Sequence, residues 1–194
     1  MTAKYSPLVA HAALIVSLVA VGSTRVVAQE RESRRPDLSG RWQLNRELSE
    51  NAEAKLEHMQ SSRSGGHGPG RHGGVLGRLF GGGHNAQMEE ARKLVLNTPS
   101  SFSLTQDGDR IVLAESDGRV RTLTANGRKM KVNGRDVQTK WDKHRLVSEI
   151  SLDGAKVTET YERSTKAPQL IVTTKMAMRG HEVSVRRVYD ALMK

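Results

Sequence analysis

From Ser100 onward the chain is punctuated by two-residue turn signals at short, regular intervals: Asp107-Gly108, Asp117-Gly118, Asn126-Gly127, Asn133-Gly134, Asp153-Gly154 and Arg179-Gly180, with softer breaks at Lys143-His144 and Ala167-Pro168. Both central residues of the favoured hairpin turn need positive φ, and Asn-Gly or Asp-Gly adopts that conformation at least cost. The intervening segments are β-branched and apolar: SFSLTQ, RIVLAES, RVRTLTA, KMKV, VQTKWD, LVSEISL, KVTETYERS, QLIVTTKMAM and EVSVRRVYD. No link between them is long enough for a parallel crossover, so nine consecutive strands form an antiparallel meander.

A tenth strand precedes them. LSGRWQLN alternates Leu38, Gly40, Trp42 and Leu44 against Ser39, Arg41, Gln43 and Asn45, the two-residue period of a strand with one buried face. The fold class is therefore mainly β, an antiparallel up-and-down meander of about ten strands that curls into a barrel to hide its edges. A β-sandwich is the competing architecture, but its Greek-key crossings call for a long connection between strands. Here the one long connection is helical.

That connection is a helix-loop-helix insert over residues 46–97. In RELSENAEAKLEHMQSS the apolar positions Leu48, Ala52, Leu56 and Met59 recur at helical spacing, with Asn45 as N-cap. In NAQMEEARKLVLN, Asn85 is placed to cap, Met88, Ala91 and Val95 share a face, Glu89 and Lys93 are spaced for an ion pair, and Pro99 stops the helix. Between the helices, residues 64–84 hold ten of the eighteen glycines and three of the seven histidines. Val75, Leu76, Leu79 and Phe80 in that spacer have the pattern of one short apolar turn, suited to the barrel mouth or a membrane surface.

Residues 1–28 read as a signal peptide, with Lys4 before an apolar run from Leu8 to Val21 and small residues before Gln29, and residues 29–37 as a charged leader. The remaining domain spans residues 38–192, and its expected location is exported, periplasmic or extracellular. There are no cysteines, so neither disulfides nor thiolate metal sites contribute. The formal charge is +10, of which Lys4 and Arg25 carry two. That charge is interspersed with acids, and two Phe, three Tyr and two Trp offer little base stacking, so nucleic acid is not an expected partner.

Gly40-Arg41-Trp42 opening the first strand and Arg187-Val188-Tyr189 closing the last, at the two ends of this strand order, resemble the calycin superfamily of lipocalins and fatty-acid-binding proteins. The Asp37-Leu38-Ser39-Gly40 start with its glycine-rich insert is also similar to a group of exported bacterial proteins. The resemblance implies a barrel in which Trp42 packs at the closed end against a basic residue of the last strand, Arg186 or Arg187. It also implies that the helices form a lid and that the Arg-x-Tyr pair holds a ligand carboxylate. Two features depart from the lid-bearing branch, whose members are cytosolic and join their helices by a tight turn.

Strand parity supplies the remaining candidates. Arg187 and Tyr189 share a face with Val183 and Val185, where a guanidinium can grip a carboxylate, cap Trp42 or point to solvent. Met176 and Met178 lie on one face with Leu170, Val172 and Thr174, and Trp141 lies on one face with Val137 and Thr139; each set is ordinary core or a ligand wall. Glu159 and Tyr161 share a face without a partner base, and there is no Gly-x-Ser-x-Gly or His-Glu-x-x-His, so no catalytic residue is expected. His67, His72 and His84 are spaced five and twelve residues apart with no acid among them, so neither metal nor cofactor is expected. The expected function is a secreted, non-enzymatic barrel holding a small apolar or amphipathic ligand, carboxylate-bearing in one form. The alternative is a structural or interaction module with a side-chain-filled barrel, contacting membrane or envelope polysaccharide through its insert. Lumen volume separates the two.

Overall fold

A computed structural model of the chain describes residues 35–64, 82–178 and 180–192. The elements in order are β1 (Gly40–Asn45), α1 (Ala52–Ser64), α2 (Gly82–Leu96), β2 (Ser101–Asp107), β3 (Arg110–Glu115), β4 (Val120–Thr124), β5 (Asn126–Val132), β6 (Arg135–Asp142), β7 (Arg145–Leu152), β8 (Ala155–Arg163), β9 (Gln169–Met178) and β10 (His181–Ala191). All ten strands join one antiparallel sheet in the order β4-β3-β2-β1-β10-β9-β8-β7-β6-β5. Pairing of β1 with β10 curls the meander on itself, giving a nearly closed antiparallel barrel with a single seam between β4 and β5.

The seam corrects one turn assignment. Asn126-Gly127 does not join a hairpin; it lies inside β5, where the register with β6 slips between Asn126 and Lys129. Asn126 Oδ1 accepts from Arg128 N at 2.9 Å and Gly127 O accepts from Gln138 at 2.7 Å, so this Asx-Gly pair serves a bulge instead of a turn. Arg128, Lys129 and Lys131 keep the exposed β5 edge charged, which opposes edge-to-edge association. At Asn133-Gly134, by contrast, φ is 51° and 79°, so both central residues are left-handed as the two-residue hairpin between β5 and β6 requires.

The first helix begins later than the apolar spacing predicts. Asn45 Oδ1 accepts from Leu48 N at 3.1 Å and its Nδ2 donates to Asp190, which commits it to a turn beside β10. Glu50 N then donates to the Arg186 carbonyl at 2.9 Å while its carboxylate accepts from Arg186 N at 2.7 Å, and Asn51 caps α1 by accepting from Ala54 N at 3.0 Å. Leu48 is consequently 51 % exposed, while Leu56 is fully buried and Ala52 and Met59 partly so. In α2 the expected face of Ala91 and Val95 is buried. That helix starts at Gly82, ahead of Asn85, and Glu89 and Lys93 make no ion pair with each other.

Two apolar clusters fill the barrel. At the closed end Trp42, Leu38, Leu104, Ile111, Leu146 and Leu170 pack with Phe102, Tyr161 and Tyr189. At the other end Leu56 of α1 and Ala91 and Val95 of α2 lie on Val157, Met176, Val183 and Val185. Burying a side chain of this size contributes about 1.5–3 kcal/mol, so the helices are held by this second cluster and not by their own propensity.

Candidate functional site

Between the two apolar clusters lies a layer of charged and phenolic side chains pointing into the lumen. Its parity is that of the core: Leu113 and Glu115 on β3, Arg121 and Leu123 on β4, Val157, Glu159 and Tyr161 on β8, Val185, Arg187 and Tyr189 on β10. Arg121 crosses the barrel. It donates from Nη1 to Glu159 Oε2 at 2.9 Å and from Nη2 to the Tyr161 hydroxyl at 3.2 Å, and Tyr161 donates in turn to Glu159 at 2.9 Å. This bridge ties β4, at one lip of the seam, to β8 on the far wall.

Glu115 completes the layer on the near side. Its side chain is 1 % exposed and lies 2.8 Å from Arg119 and 3.1 Å from Arg121 Nε. Neither contact is angled as a hydrogen bond, so both carboxylate oxygens of Glu115 and Arg121 Nε stay buried with ionic contact alone. Opposite it, Arg187 is 3 % exposed, donating from Nη1 to Thr174 Oγ1 at 3.1 Å and from Nη2 to the backbone carbonyl of Val95. Val95 lies in the last turn of α2, where unpaired carbonyls carry the negative end of the helix dipole. The guanidinium therefore fastens the lid helix to the barrel wall.

Burial raises Tyr161 well above the usual phenol range, with the Glu159 charge adding to it, and burial likewise pushes Tyr189 up to about 12. Arg121 is held charged by Tyr161, against desolvation, with Glu159 and Glu115 adding to it, whereas burial pulls Arg187 down from its ordinary value. The Tyr189 ring meets Phe102 edge-on at 4.9 Å, and its hydroxyl makes no hydrogen bond among the described residues. The space these groups enclose is about 20 Å³, lined by Glu115, Arg121, Glu159, Tyr161, Arg187 and Tyr189 together with residues of the chain after α2. That is room for one water molecule. An open groove of about 500 Å³ lies outside it, between α1 and the start of β10, lined by Lys55, His58, Met59, His181, Glu182 and Val183.

Each sequence-derived candidate has a definite place. Arg187 and Tyr189 meet in the charged layer, and Met176 is fully buried in the cluster beneath the helices, with Met178 buried further along β9. Trp42 and Trp141 lie at the closed end, below the layer. The cation over Trp42 is Arg163 of β8, 5.8 Å from the ring, and not Arg186 or Arg187. Arg187 is drawn up the barrel by the α2 carbonyl, and Arg186 faces outward, its backbone paired with Glu50. Trp141 is covered by Arg35 at 6.0 Å. Glu115 and Arg121 were not singled out from the sequence, although each falls at core parity. His67, His72, Val75, Leu76, Leu79 and Phe80 lie outside the described residues, as do residues 1–34 and the side chain of His84. Among the described residues no group of three metal-ligating side chains converges, and no helix is long and apolar enough to cross a membrane.

No protein-family model matches the chain, and no curated protein sequence does. Among solved structures it is similar to the wild-type fluorescent protein UnaG, at 15% identity and a TM-score of 0.46, over 80% of this chain and 97% of that one. It is also similar to zebrafish ileal bile acid-binding protein in complex with cholic acid, at 13% identity and TM-score 0.44, over 79% and 98% of the two chains. A secretory abundant heat soluble protein from Ramazzottius varieornatus matches at 12% identity and TM-score 0.45, over 80% and 95%.

Proposed function

We propose that the protein is a non-enzymatic binding protein that takes a small apolar or amphipathic ligand into the helix end of its barrel, with α1 and α2 as the cover. The observation that supports this reading is the charged layer itself. Two guanidiniums, two carboxylates and two phenols sit in a lumen where apolar side chains of similar volume would fill a purely structural barrel at equal or better stability. Polar groups converging beneath an apolar cover are the arrangement a small-molecule site needs. In this reading Arg187 and Tyr189 form the floor and Met176 and Met178 the adaptable wall. Trp42 and Trp141 act through packing at the closed end.

The enclosed volume of about 20 Å³ requires the cover to move. Val95 and Ala91 must lift from Met176 and Val185 before a chain of several carbons has room, and the Arg187 bond to the Val95 carbonyl is released in the same step. The same small volume favours a second reading, a side-chain-filled structural or interaction module. Native mass spectrometry of the protein purified from its own host, with titration by the neutral fluorophore Nile red, decides between them. The binding reading expects a one-to-one adduct and saturable fluorescence; absence of both replaces it with the second. Export is part of the proposal, and N-terminal sequencing of the host protein checks it, with a start at Gln29 as the expected result.

A further inference from the structure

We infer that the headgroup this lumen selects is neutral and hydrogen-bonding, an alcohol or a primary amide, and not a carboxylate. The inference rests on the binding reading above and narrows it. Charge balance is the first reason. Arg121 and Arg187 face Glu115 and Glu159, so the layer is already electrically even, and Arg119 meets Glu115 only from the half-exposed rim. An entering carboxylate would place a third negative charge beside two buried ones, where few waters screen it.

Donor accounting is the second reason. Both terminal nitrogens of Arg121 have partners in Glu159 and Tyr161, and both of Arg187 have partners in Thr174 and the Val95 carbonyl. Lifting of α2 frees only Nη2 of Arg187, while Nη1 keeps Thr174, so no guanidinium presents the two free parallel N–H groups that bidentate capture of a carboxylate needs. What lacks a hydrogen bond is of mixed character: the two Glu115 oxygens and Arg121 Nε, held by ionic contact alone, and the Tyr189 hydroxyl, which can donate or accept. A hydroxyl or amide headgroup donates to Glu115 and accepts from Arg121 Nε or Tyr189, whereas a carboxylate ion can only accept. The cavity of about 20 Å³ suits a group of that size.

The test measures binding of 1-decanol, decanamide and sodium decanoate to the unaltered full chain at pH 7.5, by displacement of Nile red. Decanol and decanamide should bind at least tenfold more tightly than decanoate. Glu115→Gln, which removes one negative charge from the layer, should bring decanoate to within about threefold of decanol. Decanoate binding as tightly as decanol to the unaltered chain would overturn the inference while leaving the binding reading intact. Failure of Nile red and all three ligands to bind would remove the binding reading, and this inference with it. The headgroup comparison needs no variant, so it stands even where Glu115→Gln fails to fold.

Discussion

At the closed end of the barrel, Trp42 is enclosed by Leu38, Leu104, Ile111 and Leu170, its indole N–H donates to the Leu38 carbonyl at 3.1 Å, and Arg163 covers its face. Gly40 sits against the same ring at φ +155°, where an added Cβ would stand 3.4 Å from the indole, so the Gly-x-Trp pair works as one unit. At the helix end, Leu56, Ala91 and Val95 form an apolar layer of comparable depth, but directly beneath it lie Glu115, Arg121, Glu159 and Arg187. The closed end keeps its cations, Arg35 and Arg163, at the margin and leaves a single indole donor, Trp141 Nε1, without a hydrogen bond; the helix end buries its charges and leaves Glu115 and Arg121 Nε without hydrogen bonds. The first arrangement stabilises by apolar packing, and the second gives up some stability to hold charged groups away from bulk solvent.

The contrast breaks first at Trp42. Trp42→Ala should cost about 3–5 kcal/mol, against about 2–3 kcal/mol for Leu56→Ala, because the ring is locked on all sides whereas the helix can settle into the space left behind. Urea denaturation followed by circular dichroism measures both, and equal losses would show that the two ends are equally rigid. Arg121→Met comes next. It strands Glu115 and Glu159 in the lumen and should cost about 3 kcal/mol, most of it recovered when Glu115→Gln and Glu159→Gln are added. If the triple variant is no more stable than Arg121→Met alone, the bridge is a true stabiliser and the charged layer needs no functional explanation.

The phenols provide the pH dependence. Tyr189 has an ordinary value near 10 when unfolded and is pushed up to about 12 in the fold. Above pH 10 the unfolded chain loses this proton while the native one keeps it, so stability that is whole below pH 10 declines as pH rises toward 12, by about 2–3 kcal/mol for this group. Tyr161 shifts in the same direction and extends the loss to higher pH. Tyr189→Phe should therefore flatten the alkaline flank of the stability curve between pH 9.5 and 11.5, measured by urea melts at each pH.

Much of the contrast is legible in the amino-acid sequence itself. Turn pairs and two-residue alternation locate the ten strands, and parity puts Met176 on one face with Leu170 and Val172 and Arg187 on one face with Tyr189 and Val185, faces that the structure buries. Parity also holds a signal that is easily passed over: Glu115 follows Ile111 and Leu113, and Arg121 precedes Leu123 and Ala125, so each strand carries a charge at a core position. What local pattern does not carry is which of these charges meet. Arg121 and Glu159 are 38 positions apart and become partners only through the stagger of a curled sheet, a property of the whole barrel. Asn126-Gly127 misleads for the same reason, since a turn pair and a bulge at the seam use the same residues. The delayed start of α1 follows from Asn45 and Glu50 finding partners on β10, contacts more than 130 residues distant in sequence.

The smallest expected effect separates the two ends most cleanly. Each has a cation at its margin: Arg163 over Trp42 at the closed end, and Arg135, whose ion pair with Glu90 ties α2 to the β5–β6 hairpin. Both contacts are partly solvated, so Arg163→Met and Glu90→Gln should each cost less than about 1 kcal/mol. Their kinetic consequences should differ. Glu90 restrains the helix that must lift for the lumen to open, so Glu90→Gln should raise the association rate of Nile red about two- to fivefold in stopped-flow measurements, with less effect in salt, which already weakens the pair. Arg163 lies on the far side of the charged layer and its loss should leave that rate unchanged. Equal rates for both variants would mean that ligand does not enter past α2, and would move the entrance to the seam between β4 and β5.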